Sequence, residues 1–291
     1  MAQKTAVLLD TDIGSDIDDA LALSYLLRQP QCELLGVTTV TGDVQQRAAL
    51  VEIVCDAAGR RDIPIHCGRR DVLAFGPGQP KVPQYETVKD RPHRLNRPED
   101  SAVEFLREAI RKRPGEVVLL TVGPFSNLAA LFAADPEIPK FCRSIVSMAG
   151  VFFAPGRREW NAICDPVATS IAYAAHRPKH LSIGLDVTEK CRMHADLLKP
   201  RFTREPLATV AKMAESWFEH SSDITFHDPL AAAMIFHPGL CELRTGRVEV
   251  PVTGEADKAG TTVFTEGAGG DQVAAGVSPE AFFEEFFGVA G

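Results

Sequence analysis

Apolar residues alternate along the chain between two rhythms. Short apolar-rich segments of strand length, the mark of buried strands, occur at 6–10, 33–41, 63–67, 117–122, 144–148 and 181–187. Between them, residues 18–28, 44–59, 100–112, 126–134 and 166–175 carry apolar positions at helical spacing. Strand followed by helix, repeated along most of the chain, predicts an α/β protein with a Rossmann-like, mostly parallel central sheet flanked by helices. After Thr188 the rhythm changes. Helical patterns near 206–220 and 229–236 precede short strands near 248–252 and 261–264, which reads as an α-rich C-terminal addition. Residues 75–98, rich in Pro, Gly and charge, show no period and are read as a functional flap. All 291 residues are expected to form a single domain.

Composition narrows the functional classes. A formal net charge of −8 lacks the basic surface that a phosphate backbone attracts, so a nucleic-acid polymer is not an expected partner. The apolar stretch at 6–9 is too short for an export signal, and no run approaches the ~20 residues of a membrane span. The seven cysteines are odd in number and include no CxxC pair, which suits reduced thiols in the cytoplasm better than a disulfide framework or a zinc site.

The chemistry concentrates at the end of the first strand. Asp10, Asp12, Asp16, Asp18 and Asp19 place five carboxylates within ten residues at a strand's carboxyl end, where open α/β sheets bind ligands. Helix capping explains one or two such residues; five beside a buried strand call for a cation. Oxygen donors without neighbouring His or Cys point to calcium or magnesium, and calcium's looser coordination suits a cage that also accepts sugar hydroxyls. An EF-hand is excluded because Gly14 falls one place early and the twelfth position is Leu21.

Asp10-Thr11-Asp12-Ile13-Gly14 followed by Asp18-Asp19-Ala20-Leu21 resembles the N-terminal signature of the inosine-uridine preferring nucleoside hydrolase family. Four further segments follow in the same order: 36–42, 121–129, Met148 with Glu159-Trp160-Asn161, and His227-Asp228-Pro229. The resemblance runs from residue 8 to about 264. It implies calcium-dependent hydrolysis of the N-glycosidic bond of ribonucleosides, giving ribose and a free nucleobase, in nucleoside catabolism and salvage. It also implies a homo-oligomer, dimer or tetramer, acting on a small-molecule nucleoside. Carried over residue by residue, it assigns the metal to Asp12, Asp19, the backbone carbonyl of Val122, and Asp228, with Asp12 also as the base that activates water. His227 would assist the departing nucleobase. Asp18 would hold the ribose diol, Glu159 and Asn161 the 5′-hydroxyl, and Met148 would pack nearby.

The chain departs from that pattern in places. Ser15, Asp16 and Ile17 separate the glycine from the aspartate pair, two residues more than usual, so Asp16 is an alternative for the place of Asp18 or Asp19. Asp43 stands where many members carry a ribose-contacting asparagine. Segment 151–158 lacks a second sugar-binding asparagine and carries Arg157 and Arg158, which suggests a modified or phosphorylated riboside as an alternative substrate. Flap 75–98 lacks the family's usual His-Gly motif. A phosphatase of the haloacid dehalogenase type and a non-catalytic riboside- or calcium-binding protein are the rival readings. The first is disfavoured by the residues after Asp12, and the second would not need His227.

Overall fold

The computed structural model describes residues 4–252, 255 and 257–291. Its sheet begins with β1 (Thr5–Thr11), β2 (Cys32–Thr39), β3 (Ile65–Cys67), β4 (Val117–Thr121), β5 (Ser144–Met148) and β6 (His180–Ile183). These lie in the order β3-β2-β1-β4-β5-β6, all parallel. A small antiparallel pair, β7 (Arg192–His194) and β8 (Asp223–Thr225), stands apart. The main sheet then continues through β9 (Cys241–Glu249), β10 (Val263–Glu266) and β11 (Asp271–Val277), in the order β6-β11-β9-β10. The pair β6 and β11 is parallel, whereas β11-β9 and β9-β10 are antiparallel.

β1 occupies the interior because its residues allow nothing else: six of its seven positions are buried. Its alternating side chains feed two cores. Val7 and Leu9 enter one with Leu21, Leu230 and Phe282, while Ala6 and Leu8 enter the other with Leu128 and Phe132. Each such aliphatic side chain contributes roughly 1.5–3 kcal/mol on burial. The helices α1 (Asp18–Arg28) and α2 (Val44–Ala57) follow β1 and β2. α1 buries ten of its eleven residues and is in effect a core element.

Three expectations need refinement. The C-terminal addition is helix-rich between 195 and 240, as its pattern predicts, but β9, β10 and β11 also extend the sheet, and the helix Pro279–Ala290 packs Phe282 and Phe286 into the core. The run expected as a strand over 181–187 stops at Ile183, and Leu185–Thr188 forms a helical turn after Gly184. The flap is also more ordered than its composition suggested, since it contains the helical turn Pro83–Val88 and buries Gln84, Tyr85 and Val88.

Candidate active site

The strand order reverses between β1 and β4, and in a doubly wound sheet the crevice beyond the carboxyl ends at that point is the ligand site. Asp10 lies at this junction, in register with Thr38 of β2 and Thr121 of β4. Its fully buried carboxylate accepts from Thr38 Oγ1 at 2.5 Å and from Asn127 Nδ2 at 2.7 Å, and burial pushes its pKa up to about 7. Asp10 therefore braces the junction from below.

Beyond it the chain turns at Gly14, whose φ of +126° favours glycine, and passes into α1 through Asp16. Asp18 and Asp19 open α1, and Asp228 lies in the first turn of the helix His227–Met234, which packs against α1. Asp18, Asp19 and Asp228 are all buried, and one carboxylate oxygen from each lies within 4.8 Å of the others. Asp228 N donates to Asp18 Oδ2 at 3.1 Å, and Thr11 Oγ1 donates to Asp19 Oδ1. Burial first, then repulsion from the neighbouring aspartates, Asp12 and Asp16 included, holds all three carboxyls well above the usual carboxylate range. Burial also raises Asp12 against the pull of Arg47, and pushes Asp16 up to about 7.

The donor set fits a hard divalent cation. Three buried carboxylates this close are neutralised only by protons or by a positive charge. The nearby guanidinium of Arg47 is not placed to do it directly. It is fully buried, and its hydrogen bonds go to the carbonyls of Asp12, Ile13, Thr41, Gln79 and Lys81 and to the Ser15 hydroxyl. Oxygen-only ligation of this kind suits calcium or magnesium.

Above the carboxylates opens a cavity of about 580 Å³, within the range of small-ligand sites. Asp12, Asp18, Asp19, Val122, Met148, Glu159, Asn161, His227 and Asp228 all line it. Asp12 and Asp16 share this wall without joining the close trio of oxygens. Gly123 packs so tightly here that a Cβ would meet Asp12 Oδ1 at 3.0 Å. The Val122 carbonyl accepts from Asn161 Nδ2 at 2.6 Å, which ties the end of β4 to the loop after β5. Glu159 caps the short helix Trp160–Cys164, accepting from the backbone N–H groups of Gly150, Asn161 and Ala162. Burial pushes its pKa to about 7. His227 Nδ1 lies 2.6 Å from Thr188 Oγ1, and burial lowers the ring's pKa to about 4, so it is neutral near pH 7.

Asp43 lies apart from this group. It does not line the cavity, and its carboxylate caps α2 by accepting from Gln46 N at 3.0 Å. Arg157 forms a solvent-exposed pair with Glu189, whereas Arg158 lines the cavity and donates to the Ala259 carbonyl at 2.9 Å. Trp160, from the Glu159-Trp160-Asn161 motif, also lines the wall, and residues that the sequence did not single out complete it: Gln79 and Lys81 from the flap, Leu185, Ser216, Trp217 and His220. The rarity of tryptophan was the available signal for Trp217; the others carry no local mark.

The fold and the site define a class, a doubly wound α/β protein with an oxygen-donor cation site beneath a small-ligand cleft. Residues 7–284 match the inosine-uridine preferring nucleoside hydrolase family, and the chain belongs to that family of N-glycosyl hydrolases. It is 29% identical over 270 residues to a probable uridine nucleosidase 2 of Oryza sativa subsp. japonica, covering 85% of this chain and 79% of that one. It is 28% identical over 281 residues to the non-specific ribonucleoside hydrolase RihC of Escherichia coli, covering 90% and 88%. The structure of a purine-preferring ribonucleoside hydrolase from Gardnerella vaginalis superposes with a TM-score of 0.84 at 26% identity, covering 98% of this chain and 99% of that one.

Proposed function

We propose that the protein hydrolyses the N-glycosidic bond of ribonucleosides with the help of a calcium ion, releasing ribose and a nucleobase. The observation that carries this reading is the set of buried carboxylates of Asp18, Asp19 and Asp228 at the floor of a cavity fit for a small ligand. Asp12, Asp19, Asp228 and the Val122 carbonyl are the residues we assign to the ion. When bound, such an ion polarises a water molecule and offsets the negative charge of the cluster.

The chain's own groups supply the rest. Asp12 accepts the proton of the attacking water, which adds to the anomeric carbon as the bond to the nucleobase breaks. Asp18 accepts hydrogen bonds from the ribose diol, and Glu159 and Asn161 hold the 5′-hydroxyl beside Met148. In the tautomer in which Nδ1 accepts from Thr188 Oγ1, 2.6 Å away, the neutral His227 ring keeps Nε2–H as a donor for the departing base. The relatives' names differ in base preference, and this cavity presents two tryptophans beside Gln79, Ser216 and His220.

A panel of uridine, cytidine, inosine, adenosine and one 5′-nucleotide, with calcium or chelator, tests the proposal through ribose release. Calcium-dependent release from at least one nucleoside is the expected result; none from any member counts against it. A second reading, a phosphorylated riboside, is favoured by Lys81 and Arg158 on the cavity wall. Selective turnover of the 5′-nucleotide would establish it.

A further inference from the structure

The flap and the acidic loop are joined by an unusual number of polar contacts. Gln84 is fully buried, although the flap's helical turn Pro83–Val88 runs over the surface of α2. Its Nε2 donates to the Asp16 carbonyl at 2.7 Å and to the Ser15 carbonyl at 3.2 Å, while its backbone N–H donates to the Gly14 carbonyl at 3.2 Å. Ser15 Oγ returns a hydrogen bond to the Lys81 carbonyl at 3.1 Å. Val82 packs against Gly14 so closely that a Cβ at Gly14 would lie 2.4 Å from Val82 Cγ1.

α1 needs this support. The residue before its first turn is Ile17, which has no side chain to cap the helix; the Asp16 carboxylate accepts from Ile17 N at 2.6 Å, so the placement of Asp18 and Asp19 depends on how the loop before them is held. Three successive carbonyls of that loop are gripped by one residue of the flap. A second strut runs beside it, since Arg47 reaches the carbonyls of Asp12 and Ile13 with one nitrogen and that of Gln79, at 2.5 Å, with the other.

We propose that Gln84 is a positioning residue: by gripping the carbonyls of Gly14, Ser15 and Asp16 it fixes the entry to α1 and so sets the geometry with which Asp19 meets a cation, with Asp18 beside it. This rests on the metal reading of the site given above. It makes the stretch from Gln79 to Gln84 a fixed clamp rather than a swinging part of the flap. Partners that orient the ligands of a metal site typically change affinity 10- to 100-fold when removed.

Gln84→Met keeps the volume and removes both side-chain donations, and Gln84→Glu keeps the shape and replaces the donor with an acceptor. Calorimetric titration with calcium chloride and, separately, magnesium chloride should show the dissociation constant of the tighter-binding cation rising at least 10-fold in both variants. Hydrogen exchange should show the amides of 15–19 losing protection in the cation-free protein. If Gln84 merely fills space, Gln84→Met will bind the cation within about threefold of wild type and exchange at the same rate, and the proposal is overturned. Should neither variant fold, Ser15→Ala, which removes the bond to the Lys81 carbonyl and the longer contact from Arg47, should still weaken cation binding by a few-fold; unchanged binding overturns the clamp. A wild type that binds neither cation would sink the metal reading, and the exchange rates of 15–19 would then decide the clamp alone.

Discussion

Stripping divalent cations from the protein should lower its melting temperature, and the size of the fall can be worked from the site. The three carboxylate oxygens of Asp18, Asp19 and Asp228 lie within 4.8 Å of one another. Each pair, when ionised, repels by about 3 kcal/mol or more at an effective dielectric near 20. A bound cation turns that repulsion into attraction, and it does so only in the folded chain, where the first helix and the helix His227–Met234 bring the three together. A ligand present at about 100 times its dissociation constant stabilises by roughly 2.7 kcal/mol. The unfolding entropy of a chain this long is about 0.6 kcal/mol per degree, so removing the ion should cost about 4 °C. The assay is scanning calorimetry near pH 7.5 in calcium at 100 times its measured dissociation constant, and again in excess chelator. Asp228→Asn, which removes one buried charge, should shrink the difference between the two scans. Superimposable scans of the wild-type protein would refute the cation-cage argument.

Three other outcomes follow from the packing. His180 is fully buried against Tyr173 and Ser147, and burial holds its pKa well below the usual value of 6.5. The unfolded chain then binds more protons, so this residue's contribution is present above pH 6.5 and lost as pH falls through that value; urea titrations between pH 7 and 5 should show a shallower loss in His180→Gln than in wild type. Gly123→Ala forces a methyl against Asp12 and Val40, so kcat should fall on the order of 100-fold with only a few degrees' loss in melting temperature; wild-type turnover would contradict the close approach. Phe282→Ala removes a fully buried ring that packs on Phe226 and Phe286, and thermal melts should register a loss of about 3–5 kcal/mol, or roughly 5–8 °C.

The first half of the fold was legible because its elements announce themselves locally. β1 is apolar throughout, and Asp18 and Arg28 bound the first helix in both pattern and structure. The C-terminal strands were legible only in part, since the expected 248–252 and 261–264 overlap the ends of β9 and β10 while most of β9 and all of β11 were missed, for a physical reason. Cys241–Glu249 alternates charged and small residues because one face is exposed near the sheet edge, and Asp271–Val277 is a short run of Ala, Gly and Val that becomes a strand only between two partners. The helix Pro279–Ala290 has an i, i+4 phenylalanine pattern, but it follows the glycine-rich stretch 267–270, which reads as loop.

The site divides in the same way. Asp12, Asp16, Asp18, Asp19, Met148, Glu159, Asn161 and His227-Asp228 were identifiable from motif and order, and all of them line one cavity, with Asp10 buried beneath it. Asp43 shares a motif position but faces away, because the start of the second helix takes its carboxylate as a cap. Arg47 and Gln84 were invisible as functional residues. Arg47 follows two glutamines at the start of a helical pattern and Gln84 lies in an aperiodic flap, and what each meets, the carbonyls of a loop more than 30 residues away, is decided by tertiary packing alone.

The most direct test of the account is the initial rate of ribose release from a saturating nucleoside, measured for wild type and Asp12→Asn in calcium and in chelator. The account predicts wild-type release that requires the cation, and a rate in Asp12→Asn about 10²- to 10⁴-fold lower, the usual worth of a positioned base. Release by Asp12→Asn at the wild-type rate, or release by wild type undiminished in chelator, would contradict it.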